Sequence, residues 1–273
     1  MSGFMLAASL SAALALFLAL AMAGAWLAAE RTGNHGWVDT IWSFATGIAG
    51  IAAALLPFGA ESWLPRQLLV AGLAAIWSLR LGLHILQRTR QGHDDPRYAE
   101  LRRQWGAHAS RRLFLFLQVQ ALAALILVLA IAAAAHAPFP GWRPGDGLAV
   151  VLLLAAVLGE GVADRQLARF RAIPANRGRV CDQGLWGMTR HPNYFFEWLG
   201  WLAYPAIAID PAGGYAWGVA ALLAPLLIYV LLVHASGIPP TEAHMLRSRG
   251  EAFRDYQRRV NAFWPGPARG PGR

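Results

Sequence analysis

Residues 113–136 read LFLFLQVQALAALILVLAIAAAAH, a run whose only polar side chains are two glutamines and a terminal histidine. The hydrocarbon core of a bilayer takes about 20 apolar residues of helix, so this stretch reads as a membrane span. Working outward, the same length criterion gives six more: roughly 4–29, 37–56, 67–87, 146–164, 193–209 and 216–236. The composition agrees, with 56% hydrophobic and only 14% charged residues, where soluble domains carry roughly 25% charged. The expected fold is all-α: a polytopic bundle of seven transmembrane helices forming one integral membrane domain over 1–273, with no internal repeat. The first run shares the hydrophobicity of a signal peptide but has no basic leading region, runs too long and lacks a clear cleavage site, so it reads as a true span. The end of the tail, PGPARGPGR (265–273), reads as frayed.

The charges order these spans. All 24 basic residues are arginine. Loop 88–112 carries seven, loop 165–192 six and the tail seven, whereas the alternate loops 57–66, 137–145 and 210–215 hold only Arg66 and Arg143. Basic loops stay in the cytoplasm, and seven spans put all three basic segments on that side, with the N-terminus outside. The net charge of +9 then reflects topology, and no nucleic-acid partner is expected. An arginine-only, alanine-rich composition points to a GC-rich genome and a bacterial inner membrane. The lone Cys181 excludes an internal disulfide and a cysteine-based metal cluster. No metal site is expected, since His191, His234 and His244 lack ligand spacing.

Charged groups inside a bilayer cost a few kcal/mol each even on lenient insertion scales. Here they gather toward the basic ends of the spans: Asn34, His35 and Asp39; Arg80 and His84; Glu160 and Asp164; Asn193 and Glu197; Glu242, His244 and Arg247. Any one pair is explained as an interhelical hydrogen bond or a snorkelling side chain. Five such clusters on one side are explained more economically by a shared cavity open to the cytoplasm. The stretch TRHPNYFFEWLGW (189–201) predicts a helix starting near Pro192, because proline at the first helical position sacrifices no hydrogen bond. Its free N–H groups and positive dipole end lie beside Arg190, His191 and Tyr194 and suit an anionic, phosphate-bearing ligand. Carboxylates and amides at Glu160, Asp164, Asn193 and Glu197 suit sugar hydroxyls or a carboxamide. That combination describes a dinucleotide held among helices, since the glycine-rich strand-to-helix fingerprint is absent.

The segments GEGVADRQLARFR (159–171), GLWGMTRHPNYFFEWLGW (184–201) and FRDYQRRVNAFWP (253–265), with NHGWVDTIWSF (34–44), WSLRLGLHI (77–85) and DDPRYAELR (94–102), resemble the bacterial branch of the membrane steroid 5α-reductase family. The resemblance covers most of the chain after the first helix. It implies a seven-helix bundle that uses NADPH to reduce the C4–C5 double bond of 3-oxo-Δ4 steroids, with a lipophilic enone as substrate, lipids as surroundings and no obligate protein partner. By the resemblance, Arg80, Asp164, Arg171, Arg179, Asn193 and Glu197 face the cofactor. Asp39 matches the substrate-facing acid and Trp77 takes the place of a substrate-facing tyrosine. Val38 stands where the animal enzymes have glutamine, and Phe196 where the family has glycine. Burial would keep Asp39 protonated, able to donate to the carbonyl oxygen as negative charge develops there; the indole N–H of Trp77 offers a second bond without transferring a proton, and Asn34 and His35 are candidate helpers. Glu160, Arg190, His191, Tyr194, Glu242 and His244 complete the candidate cofactor set. The alternatives are an S-adenosylmethionine-dependent membrane methyltransferase of the isoprenylcysteine carboxyl type, which shares the RHPxY…E arrangement, and a sterol-binding membrane protein without enzymatic activity.

Overall fold

A computed structural model describes residues 3–58, 62–92 and 96–270; Arg273 of the basic tail lies outside them. Every regular element among them is helical. Six helices are long and apolar enough to cross a membrane: Phe4–Thr32, Gly36–Leu55, Leu64–Arg90, Arg97–Ala135, Pro144–Ala172 and Ala216–Arg249. The chain packs as two compact units, Met1–Val150 with Leu202–Ala224, and Val151–Trp201 with Pro225–Arg273.

The first unit is built on α1 (Gly3–Thr32), α2 (Gly36–Leu55), α3 (Leu64–Arg90), the short α4 (Pro96–Trp105) and α5 (Ala109–Ala135). α1 buries one stripe, Leu14, Leu18, Met22, Ala25 and Ala29, at the three- and four-residue spacing that keeps side chains on one helix face. α2 is walled by small residues. Added Cβ atoms on Gly47 and Gly50 would collide with Ser78 on α3 and Ile131 on α5, the close approach that small residues allow between membrane helices. The Ser78 hydroxyl also donates to the Ser43 carbonyl across that contact (3.0 Å).

At the end away from the basic loops, Arg66 is completely buried and spends all five N–H donors. Two go to Asp146 (2.9 and 3.1 Å) and three to the carbonyls of Ala137, Phe139 and Gly141. Arg143 pairs with Asp210 (3.0 Å) and lies 3.9 Å from the centroid of Phe139. The two arginines that broke the charge asymmetry are therefore each neutralised by a neighbouring aspartate.

The second unit takes most of α6 (Pro144–Ala172), then α7 (Leu185–Met188), α8 (Pro192–Trp201), most of α10 (Leu223–Val230), α11 (Ile238–Arg249) and α12 (Glu251–Arg259). α8 starts at Pro192 as the sequence predicts. The expected span 193–209 is not one helix: α8 ends at Trp201, and α9 (Ala203–Ala208) follows after Leu202. Pro205 explains the break, since it offers no N–H to the carbonyl four residues earlier. The expected span 216–236 is also composite, a 3₁₀ segment Ala216–Leu222, then α10, then a π-helical turn Leu231–Ala235. Gly250 joins α11 to α12 at φ 56°, ψ −126°, a conformation that glycine reaches without a Cβ clash.

Candidate functional site

In the first unit two of the candidate residues, Asp39 and His35, meet α4, which hydropathy does not reveal. Asp39, in the first turn of α2, retains 21% side-chain exposure and forms an ion pair with Arg97 of α4. The Tyr98 hydroxyl donates to the other Asp39 oxygen (2.9 Å) and accepts from the Gln120 amide of α5 (3.2 Å). Asp39 thus accepts two bonds, one from a guanidinium and one from a phenol.

His35 is buried and stacks on Tyr98 (centroids 5.9 Å apart, 15° between planes). Its Nε2 lies 3.2 Å from Arg102, which bridges onward to Glu30 (2.7 Å). A guanidinium only donates, so Nε2 is the acceptor of that contact. Asn34 has a backbone role: its amide donates to the Thr89 carbonyl (3.1 Å) and accepts from the Gly36 N–H (2.9 Å). Trp77 is buried edge-on to Trp42 (6.2 Å). Arg80 sits one turn further along α3, half-buried.

In the second unit, Arg190 donates Nε and Nη2 to the two oxygens of Glu242 (2.7 and 3.2 Å) and Nη1 to the carbonyls of Gln257 and Val260 (3.2 and 2.5 Å). Its backbone N–H reaches the Asn261 carbonyl (2.8 Å). Glu242 also accepts from the Gln257 amide (2.6 Å) and from His191 Nε2 (3.0 Å). Thr189 donates to the carbonyls of Ala262 and Phe263 (3.1 and 3.0 Å). Tyr194 stacks on His191 (5.2 Å, 7°), and its hydroxyl meets that of Thr241 (3.3 Å). These residues lash the tail to the start of α8, so Arg190, His191 and Glu242 are occupied with one another. Burial of His191 lowers its pKa, overriding the raising effect of Glu242.

The other candidates lie on α6 and α8. Glu160 is buried and Asp164, one turn on, half-buried; Arg171 and Arg179 are exposed beyond them. Asn193 and Glu197 share a face of α8, where Glu197 accepts from the Trp201 indole (3.0 Å). Phe196 packs onto Gly159 of α6, where a Cβ would collide with its ring. A phenylalanine is thereby tolerated where the resembling family has glycine. His244 is exposed on α11. Arg97, Tyr98, Arg102, Gln120 and Gln257 were not among the candidate site residues of the sequence reading. The signal for Arg97 and Tyr98 was the DDPRYAELR segment itself, a polar run inside a basic loop.

Long apolar helices carrying a few engaged ionic clusters define an integral membrane protein. The chain belongs to the DUF1295 family, described as a protein of unknown function, whose profile matches residues 25–260. No curated protein matches it, and no solved structure does.

Proposed function

We propose that this chain is an NADPH-dependent reductase of the C4–C5 double bond of 3-oxo-Δ4 steroids or a related lipophilic enone. In this reading it spans the membrane seven times, with Pro192–Ala208 as the sixth span, the N-terminus outside, the C-terminus cytoplasmic and the cofactor cavity open to the cytoplasm. The observation that carries the reading is the Asp39–Tyr98–Arg97 cluster at the end of an apolar helix. Its support is the association of the family with steroid 5α-reductase-like membrane proteins and the motif resemblance.

The residues fit a phosphate-bearing dinucleotide in part. Exposed Arg171 and Arg179 suit phosphate, and half-buried Asp164, Asn193 and Glu197 suit hydroxyl and amide groups. Arg190, His191 and Glu242 do not fit as direct ligands, because their polar atoms hold the tail; they position α8 instead. When bound, the nicotinamide supplies a hydride to the β-carbon of the enone. Negative charge then develops on the carbonyl oxygen. Arg97, oriented by the Asp39 carboxylate, is the donor for that oxygen, a task worth about 10²–10³ in rate; Tyr98, whose single O–H goes to Asp39, fixes the carboxylate. A proton taken from solvent at the α-carbon, C4, completes the reduction.

The methyltransferase reading shares the RHPNY segment and gives the Asp39–Tyr98 pair no task, which is why the reductase reading is preferred. Titration of purified protein with NADPH and with S-adenosylmethionine tests the two. Binding of NADPH alone supports the reductase; binding of S-adenosylmethionine alone overturns it.

A further inference from the structure

We infer that the cavity where the end of α1 meets the start of α5 binds the headgroup of an anionic phospholipid. This cavity, ≈ 560 Å³, is lined by Trp26, Ala107, His108, Ser110, Arg111 and Phe114, all within the first unit. Its walls are fixed. The Trp26 indole donates to the Ser110 carbonyl (3.2 Å) and meets Phe114 edge-on (5.6 Å). Arg111 and His108 are exposed, and Arg111 makes no ion pair with any described residue. The site therefore combines a cationic rim with a preformed aromatic wall, at the level where a basic segment runs into an apolar span.

The surroundings choose the occupant. Leu20 on α1, and Leu115, Val119 and Leu122 on α5, are all more than half exposed and continue the apolar surface away from the rim. A ligand matching the whole feature has a negative head and a hydrocarbon tail. Tryptophan suits this depth because its ring is apolar and its N–H seeks a polar partner, here the carbonyl of the neighbouring helix. A guanidinium suits phosphate because its planar fork donates two parallel bonds. Free phosphate matches only the rim, and a zwitterionic lipid adds a cation beside Arg111.

The test uses the full-length protein in neutral detergent, supplied with phosphatidylglycerol or with phosphatidylcholine. Lipid retained is read by native mass spectrometry, alongside the melting temperature. Phosphatidylglycerol is expected to be retained in preference and to raise the melting temperature. Arg111→Ala should weaken that retention about fivefold, the value of one arginine near an anionic surface, while Arg269→Ala leaves it unchanged. Arg111→Gln, which keeps most of the stem's packing, repeats the measurement should the alanine variant fold poorly. Equal retention of the two lipids, equal retention by wild type and the Arg111 variants, or the same thermal shift from inorganic phosphate alone would each overturn the inference.

Discussion

Nε of Arg190 donates to Oε1 of Glu242 across 2.7 Å, although the residues stand 52 positions apart. The pair is nearly closed to solvent, with 10% and 12% side-chain exposure. Removing one partner of such a pair typically costs about 3–5 kcal/mol, because the other charge stays buried. Arg190→Ala should therefore lower the melting temperature and expose the tail to protease even without nucleotide. A stable variant with a protected tail would return Arg190 to the list of direct ligands.

His191 gives that clamp a pH dependence. Its Nε2 faces a carboxylate, which only accepts, so this nitrogen carries the proton of the neutral ring. Burial holds the folded pKa below the ordinary 6.5. Between the two values the unfolded chain binds more protons, so stability rises with pH and is lost on acidification below 6.5. The loss is complete once the pH has fallen past the lowered folded value. His191→Gln keeps a donor without titrating, and should flatten the fall in melting temperature between about pH 7 and about pH 5. An unchanged slope would assign the acid sensitivity to another group.

The proposed nucleotide-binding residues are separable from the clamp. Arg171→Ala should weaken NADPH binding about tenfold, the value of a charge-assisted hydrogen bond, while the exposed position leaves stability unchanged. Glu197→Ala should weaken binding too, with the fold intact. Fluorescence titration of NADPH alongside thermal melts checks both, and unchanged affinity in either variant removes that residue from the set.

Much of this was legible in the sequence. The apolar runs locate the long helices, and Pro192 fixes the start of α8. Asp39 was legible as an acid in the first turn of an apolar span, but its partners were not: an ion pair with Arg97 depends on α4 folding back, and α4 is a polar helix with no hydropathy signal. Arg190, His191 and Glu242 were visible as a polar set, yet their geometry comes from the tail's backbone carbonyls, which leave no mark in composition. The break at Leu202 was readable from Pro205, a proline inside an otherwise continuous apolar pattern.

The proposed topology rests on the arginine asymmetry of the loops, which puts the N-terminus outside and the C-terminus in the cytoplasm. Reporter fusions at both ends should report opposite sides. Both ends on one side would contradict seven spans.

The central claim is hydride transfer to an enone, assisted by the donor that Asp39 holds. The direct measurement incubates the purified protein with progesterone and NADPH deuterated at the transferable position, and locates the label by mass spectrometry and NMR. The account predicts one deuterium at the β-carbon, C5. Arg97→Ala should lower turnover by about 10²–10³, with Asp39→Ala nearly inactive, Asp39→Asn between wild type and alanine, and NADPH affinity scarcely changed in all three. An unlabelled product, label at another carbon, or full turnover by Arg97→Ala and Asp39→Ala would contradict it.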